Sequence, residues 1–215
     1  MKLSAIIVTA MLTGALPSCH DADLLQSESK PDADNSVSSQ APPALRTPKL
    51  LSESQNLKPP VDQCDSNTVK LSIFATNDSS FEYYNCKEDD DFYILEYLKN
   101  ANKNIFIYKK LREGGYDYPK VEAVSIYKPS DETKAPIMIV LHGQYNCCYP
   151  RPSGTSYEVK IYQIIKEANR IQAVDYTHIL GENNYGFDGQ NDVREKITYQ
   201  FKDISSIKKW LKNNY

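Results

Sequence analysis

Short segments in which apolar and polar residues alternate recur between residues 69 and 141, and they predict half-buried β-strands. The clearest are 69–73, 105–108 and 121–127, which are rich in β-branched and aromatic residues. A fourth segment, 137–141, is apolar at every position, so it predicts a central strand that is buried on both faces. The polar stretch 129–134 between the last two segments predicts a hairpin loop.

Residues 157–171 fit two patterns. Apolar residues at helical spacing and the capping-box sequence Thr155-x-x-Glu158 fit a helix. The alternation at the start of the segment and its many β-branched residues fit a strand. The composition favours the strand, with 166–169 as the turn of a hairpin into a second strand at 171–174.

The end of the chain predicts a helix that starts after Asp203, whose carboxylate is suited to capping the free backbone N–H groups of a first turn. Ile204, Ile207 and Leu211 then share one face, and lysines occupy the last turns, where positive charge favours the helix dipole. Residues 92–98 are a second helix candidate. The sequence therefore predicts an α+β fold, mainly antiparallel β-sheet with a C-terminal helix and one or two minor helices.

The distribution of aromatic residues divides the chain. All of the 16 Tyr, 6 Phe and 1 Trp residues lie beyond residue 73, whereas the chain before it is rich in Ser, Asp, Gln, Pro and Ala. A segment this polar buries too little apolar surface to offset its ordering entropy. We therefore expect a disordered tether at 19–62 and one Tyr-rich globular domain at 63–215. The mildly apolar patch 45–57 leaves open a short helix that packs on this domain.

The first nineteen residues resemble a targeting signal. One lysine, a short apolar run and small residues before residue 19 are typical of a secretory signal peptide. The quartet Leu16-Pro17-Ser18-Cys19 resembles the lipobox of bacterial lipoproteins. The resemblance implies that 1–18 is removed and that Cys19 carries acyl chains, which anchor the protein in a membrane. Because His20 and not Asp follows Cys19, the resemblance implies that the protein is located at the periplasmic face of the outer membrane. The alternative is a plain signal peptide, which would direct a secreted or soluble periplasmic protein.

Charge and cysteine content exclude some functions and favour others. The net charge is −3, and no long basic run exists, so the sequence predicts no nucleic-acid binding. An exported domain with four cysteines beyond Cys19 predicts two disulfides. Three pairings are possible, and we favour those in which the adjacent Cys147 and Cys148 each bond to one of Cys64 and Cys86. The alternative, a metal site, lacks CxxC or Cys/His spacing, so no metal and no cofactor is expected.

The sequence contains no set of catalytic residues. Leu141-His142-Gly143 after an apolar strand resembles the oxyanion-loop segment of α/β-hydrolases, but no GxSxG nucleophile motif accompanies it. The alternative reading is a strand that ends in a glycine turn, with His142 at its mouth and hydrogen-bonded or at the surface. The oxygen-rich segment 181–192 lacks EF-hand spacing and predicts a long turn-rich loop. We therefore expect a protein that is not an enzyme.

Tyrosines and a run of carboxylates predict a binding surface instead. Tyr combines apolar area with a polar tip and is enriched at protein interfaces. We expect a protein-binding module, such as an immunity or inhibitor lipoprotein that occludes a toxin or hydrolase in the periplasm. A structural envelope lipoprotein is the alternative, and a cell-wall hydrolase that uses two carboxylates is a third. Six residues are expected to form the partner-binding face: Tyr145, Tyr149, Glu88, Asp89, Asp90 and Asp91.

Overall fold

Two antiparallel β-sheets lie face to face, and a helical layer covers the outer side of the larger one. The structure is a computed structural model, and it describes residues 49–51, 64–74, 79–89, 91–100, 103–114, 117–147, 151–167 and 170–215. The prediction of a mainly antiparallel β-fold with a C-terminal helix is confirmed.

The smaller sheet is a meander of four strands in which each strand pairs with its neighbour in the sequence. The hairpin of its second and third strands closes on the register pair Glu88 and Asp91. A bulge interrupts the pairing of the last two strands between Glu96 and Tyr97. Numbered along the whole chain, its strands are β2 (Cys64–Leu71), β3 (Ser79–Glu88), β4 (Asp91–Asn100) and β5 (Lys103–Leu111).

The larger sheet has seven strands and is organised around one long strand, β8 (Ser153–Glu167). The other strands are β1 (Lys49–Leu51), β6 (Lys120–Tyr127), β7 (Ile137–Asn146), β9 (Arg170–Asp175), β10 (Tyr185–Gln190) and β11 (Lys196–Ile197). One edge of β8 pairs with β7 along ten residues, and its other edge is shared between β9 and β10.

The main core lies between the two sheets. Alternate residues of β7 and β8 point toward the smaller sheet, because successive side chains of a strand face opposite sides. Phe81 and Leu98 of the smaller sheet meet Met138, Val140 and Tyr162 of the larger one, all nearly inaccessible to solvent. Burying a side chain of this size stabilises the fold by about 1.5–3 kcal/mol.

The other face of the larger sheet is covered by α1 (Ile204–Asn214) and by a 3₁₀ segment, Thr177–Asn184, in which two short helices meet at Gly181. Asp203 caps α1 by accepting a hydrogen bond from the Ser206 N–H at 2.8 Å, as the sequence predicts. Ile207 and Leu211 are fully buried against Ile139 and Ile161. No helix in the described part of the chain combines the length and the apolar character that crossing a membrane requires.

Most of the strand predictions are confirmed. The segments at 69–73, 105–108, 121–127 and 137–141 contribute to β2, β5, β6 and β7, and the favoured strand at 157–171 is β8 with its hairpin into β9. The helix candidate at 92–98 is wrong, because these residues are β4. In the sequence only Glu96 interrupts their apolar run, because Ile94 and Leu98 are buried on the inner face while Tyr93, Leu95 and Tyr97 form a cluster on the outer face.

Two further segments differ from expectation. The predicted loop at 181–192 contains the end of the 3₁₀ segment, the strand β10 and the first residues of the β10–β11 turn. The short strand β1 lies inside the range 19–62 for which a tether is expected. Its Leu50 pairs with Val174 of β9, and Leu51 packs against the inter-sheet core. The rest of that range lies outside the described residues.

Candidate functional site

Exposed apolar side chains concentrate at one end of the sandwich. We call it the loop end: it holds the β3–β4 turn, the β5–β6 connection, the β7–β8 connection and the β10–β11 turn. Among the described residues six large apolar side chains are exposed. Tyr185 lies at the start of β10, where it lines a crevice with Gln144. The other five lie at the loop end: Leu111, Tyr118, Tyr145, Val193 and Ile197.

The described members of the expected partner-binding face lie at this end. Glu88, Asp89 and Asp91 are exposed at the β3–β4 turn. Asp89 has a φ of 53°, the left-handed region that a two-residue hairpin turn needs and that Asp tolerates better than most residues. Tyr145 is 46% exposed near the end of β7. Asp90 and Tyr149 lie outside the described residues.

The favoured disulfide pairing is wrong, because Cys64 bonds to Cys86. The two residues are directly opposite each other in the register of β2 and β3, at the distance at which paired strands hold their Cα atoms. Cys147 is also disulfide-bonded, and Cys148 lies outside the described residues. Because Cys86 is bonded to Cys64, the disulfide near the acidic turn does not reach the β7–β8 connection.

Non-covalent contacts bring these two elements together instead. The ring of Phe92, next to the acidic turn, stacks on Tyr118 with 3.7 Å between centroids. The Arg112 N–H donates to the carbonyl of Phe92 at 3.0 Å, and the Asp117 N–H donates to the carbonyl of Tyr145 at 3.3 Å. The β5–β6 connection thus joins β4 of one sheet to β7 of the other.

A cleft of about 610 Å³ opens between the two sheets beside this contact. Phe92 and Ile94 line it from the smaller sheet, and Tyr118 and Val121 line it from the larger. Its volume is that of a pocket for a small molecule or for an inserted side chain. A second groove, of about 420 Å³, lies beside Cys147, Arg151 and Phe187.

The inter-sheet core behind the cleft contains a buried acid–histidine pair. Glu96 of β4 and His142 of β7 contact each other through Glu96 Oε1 and His142 Nε2, and they are 0% and 1% exposed. The expectation that β7 ends in a glycine turn with His142 at its mouth is wrong, because the strand continues to Asn146. Glu96 Oε2 and His142 Nδ1 have no hydrogen-bond partner among the described residues. The pair ties the two sheets together.

A second tie surrounds Glu158 of β8. Its carboxylate accepts a hydrogen bond from the Tyr108 hydroxyl at 3.1 Å and ion-pairs with Lys110 at 2.8 Å and Lys160 at 2.9 Å. Burial alone raises the pKa of Glu158, but Lys160 and Lys110 outweigh it and bring the pKa to about 2. Burial and the nearby Glu158 charge raise the pKa of Tyr108 far above its ordinary value. Tyr108 therefore stays protonated, and its hydroxyl acts as a hydrogen-bond donor to Glu158.

The β-bulge in the smaller sheet makes this tie possible. Ile105 and Ile107 face the inter-sheet core, and the extra residue then lets Tyr108 and Lys110 face it as well. Without the bulge the alternation of the strand would turn both polar side chains to the outer face. No pattern in the sequence marks Glu96, Glu158 or Lys110 as buried, which is why sequence analysis missed them.

The described residues offer no grouping of three His, Cys, Asp or Glu side chains that suits a metal ion. What the site does offer is a rim of exposed aromatic and acidic side chains around an open cleft. No family of known proteins matches the chain, and neither the curated proteins nor the solved structures contain a significant match to it.

Proposed function

We propose that this protein binds another protein through its loop end and acts as an envelope lipoprotein anchored at Cys19. The observation that carries the proposal is the concentration of exposed Leu, Tyr, Val and Ile side chains at one end of the sandwich. Grouped exposed apolar residues rimmed by polar ones are typical of protein-interaction sites.

The exposed aromatic and acidic side chains around the cleft indicate which kind of partner would bind. Rigid tyrosines lose little entropy on binding, so they are suited to be anchors. The acidic β3–β4 turn favours a partner with a basic surface and would speed association at low salt. An immunity or inhibitor protein that blocks a toxin or hydrolase in the periplasm fits these properties, and it acts by one-to-one occlusion.

The test is affinity capture from an envelope extract with the acylated full chain as bait. Tyr118→Ala and Tyr145→Ala remove anchors at the loop end, and Glu132→Gln alters an exposed residue of the loop between β6 and β7, at the opposite end. A genuine partner is retained by the wild type and the control variant and lost from both tyrosine variants. Equal retention by all four proteins would contradict the assignment of the surface.

Two further measurements test the rest of the proposal. A fatty-acid probe should label the wild type and not Cys19→Ala, and equal labelling would exclude the anchor. The captured partner, if it is an enzyme, should lose activity at one equivalent of the protein. Turnover of a cell-wall polymer by the purified protein itself would favour a hydrolase instead.

A further inference from the structure

Three polar side chains of the smaller sheet face the cleft. Asp65 and Asn85 are directly opposite each other in the register of β2 and β3, and Tyr83 lies two residues before Asn85 on the same face. In the described part of the chain, none of the three polar groups has a hydrogen-bond or ion-pair partner. A carboxylate, an amide and a phenol hydroxyl therefore converge on one open space.

The aromatic walls of the cleft already hold cations of the chain itself. Lys87 Nζ lies 5.4 Å from the centre of the Phe92 ring, and the Arg112 guanidinium lies 5.4 Å from that of Tyr118. These are the distances of cation–π contacts. The other lysine of the lining, Lys120, is neutralised by Asp117 at 2.7 Å. Among the described residues that line the cleft, Asp65 is the one carboxylate, and the acidic β3–β4 turn adds negative charge near the mouth of the cleft.

We propose that the cleft accepts an arginine side chain of the protein partner, with the guanidinium on the Asp65 carboxylate. This inference rests on the proposed function, because the arginine belongs to a bound protein. Arginine fits better than lysine, since a planar fork donates to a carboxylate and to neighbouring oxygens at once and also stacks on rings. The Asn85 carbonyl oxygen and the Tyr83 hydroxyl are the neighbouring acceptors.

The probe for this site is N-acetyl-L-arginine amide, with the citrulline analogue as a matched control that keeps the shape and lacks the charge. Titration of the isotope-labelled full chain, followed by amide chemical shifts, reports where each compound binds. We expect the arginine compound to shift Asp65, Asn85 and Val121 and to bind with millimolar affinity. The citrulline analogue should bind about tenfold more weakly, because its neutral urea group can donate to the carboxylate but cannot form an ion pair with it.

Two variants decide whether the carboxylate is responsible. Asp65→Asn should weaken the arginine probe about fivefold, a modest factor because the side chain is exposed to solvent. Glu132→Gln removes the same charge from the opposite end and should leave the affinity unchanged. Equal binding of the arginine and citrulline compounds, shifts outside the cleft, or an unchanged affinity in Asp65→Asn would each overturn the inference.

Measurements with the captured partner distinguish a failure of the arginine site from a failure of the proposed function. A partner that is captured through Tyr118 and Tyr145 and binds Asp65→Asn as well as the wild type supports protein binding and refutes the arginine site. Both proposals are supported if two results are obtained. The partner binds Asp65→Asn more weakly than the wild type, and an arginine-to-alanine variant of the partner binds Asp65→Asn no more weakly than the unchanged partner does.

Discussion

Replacing Glu158 by Gln should destabilise the protein more than any exposed charge change. The variant keeps the size of the side chain and an acceptor for the Tyr108 hydroxyl, but it removes the anion between Lys110 and Lys160. Lys110 is only 4% exposed, so its charge would be left with Glu113 alone, at 2.6 Å and near solvent.

The magnitude follows from two independent estimates. Removing one partner of a buried ion pair typically costs about 3–5 kcal/mol. The depression of the Glu158 pKa from 4.5 to about 2 corresponds to about 3 kcal/mol of stabilisation by the charged form. We therefore expect a loss of about 3 kcal/mol in the free energy of unfolding at neutral pH.

The pH dependence gives the prediction a second, sharper form. Because the pKa of Glu158 is lower in the folded chain than in the unfolded chain, the stabilisation is fully present above about pH 4.5 and is lost as the pH falls toward about 2. The difference in unfolding free energy between the wild type and Glu158→Gln, measured by urea denaturation, should shrink through this window. Carboxylates outside this network are common to both proteins and cancel in the difference, whereas Glu113 shares Lys110 with Glu158 and contributes to it.

Glu132→Gln is the matched control, and its difference from the wild type should stay within about 0.5 kcal/mol, as is usual for surface substitutions. A loss of less than about 1 kcal/mol in Glu158→Gln, or a difference from the wild type that is the same at every pH, would refute the assignment of Glu158 as a buried, paired anion.

Three further predictions concern the scaffold. Gly186→Ala should cost at least about 2 kcal/mol in thermal or urea unfolding, because a Cβ at Gly186 would lie 2.0 Å from the buried ring of Tyr199; an unchanged midpoint would show that the ring moves aside freely. A chain that starts at residue 61 should be less stable than one that starts at residue 43, since it lacks the pairing of β1 with β9, and identical melting curves would mean that β1 adds nothing. Reducing the Cys64–Cys86 bond, or replacing both cysteines by Ser, should cost about 2–4 kcal/mol, and mass spectrometry of tryptic peptides should show this pair and no mixed pairing with Cys147.

The strands that alternate cleanly were predictable, and so was the helix with its Asp203 cap, because both are determined by local patterns. The strand β4 was not, since its two faces are both covered and its apolar run has no period. The strand β3 was also missed: it carries Tyr83, Tyr84 and Cys86 between polar residues, and its pairing with β2 and β4 is a tertiary property.

The candidate site was predictable only in part. Exposed Tyr145 and the acidic turn could be chosen from residue type and loop position. The contact of Phe92 with Tyr118, which brings them to one end, depends on how the two sheets pack. The Glu96–His142 pair depends on the register of β4 and β7 in two different sheets, which no spacing along the chain encodes.

The separation of core and loop end has an evolutionary consequence. The residues that hold the sandwich together lie within strands and in the helical layer, whereas the exposed apolar residues sit mainly on turns, connections and strand ends. Substitutions on such segments seldom disturb packing, so they are tolerated far more often than substitutions in a core. The binding surface that we propose is therefore free to diverge rapidly without loss of the scaffold.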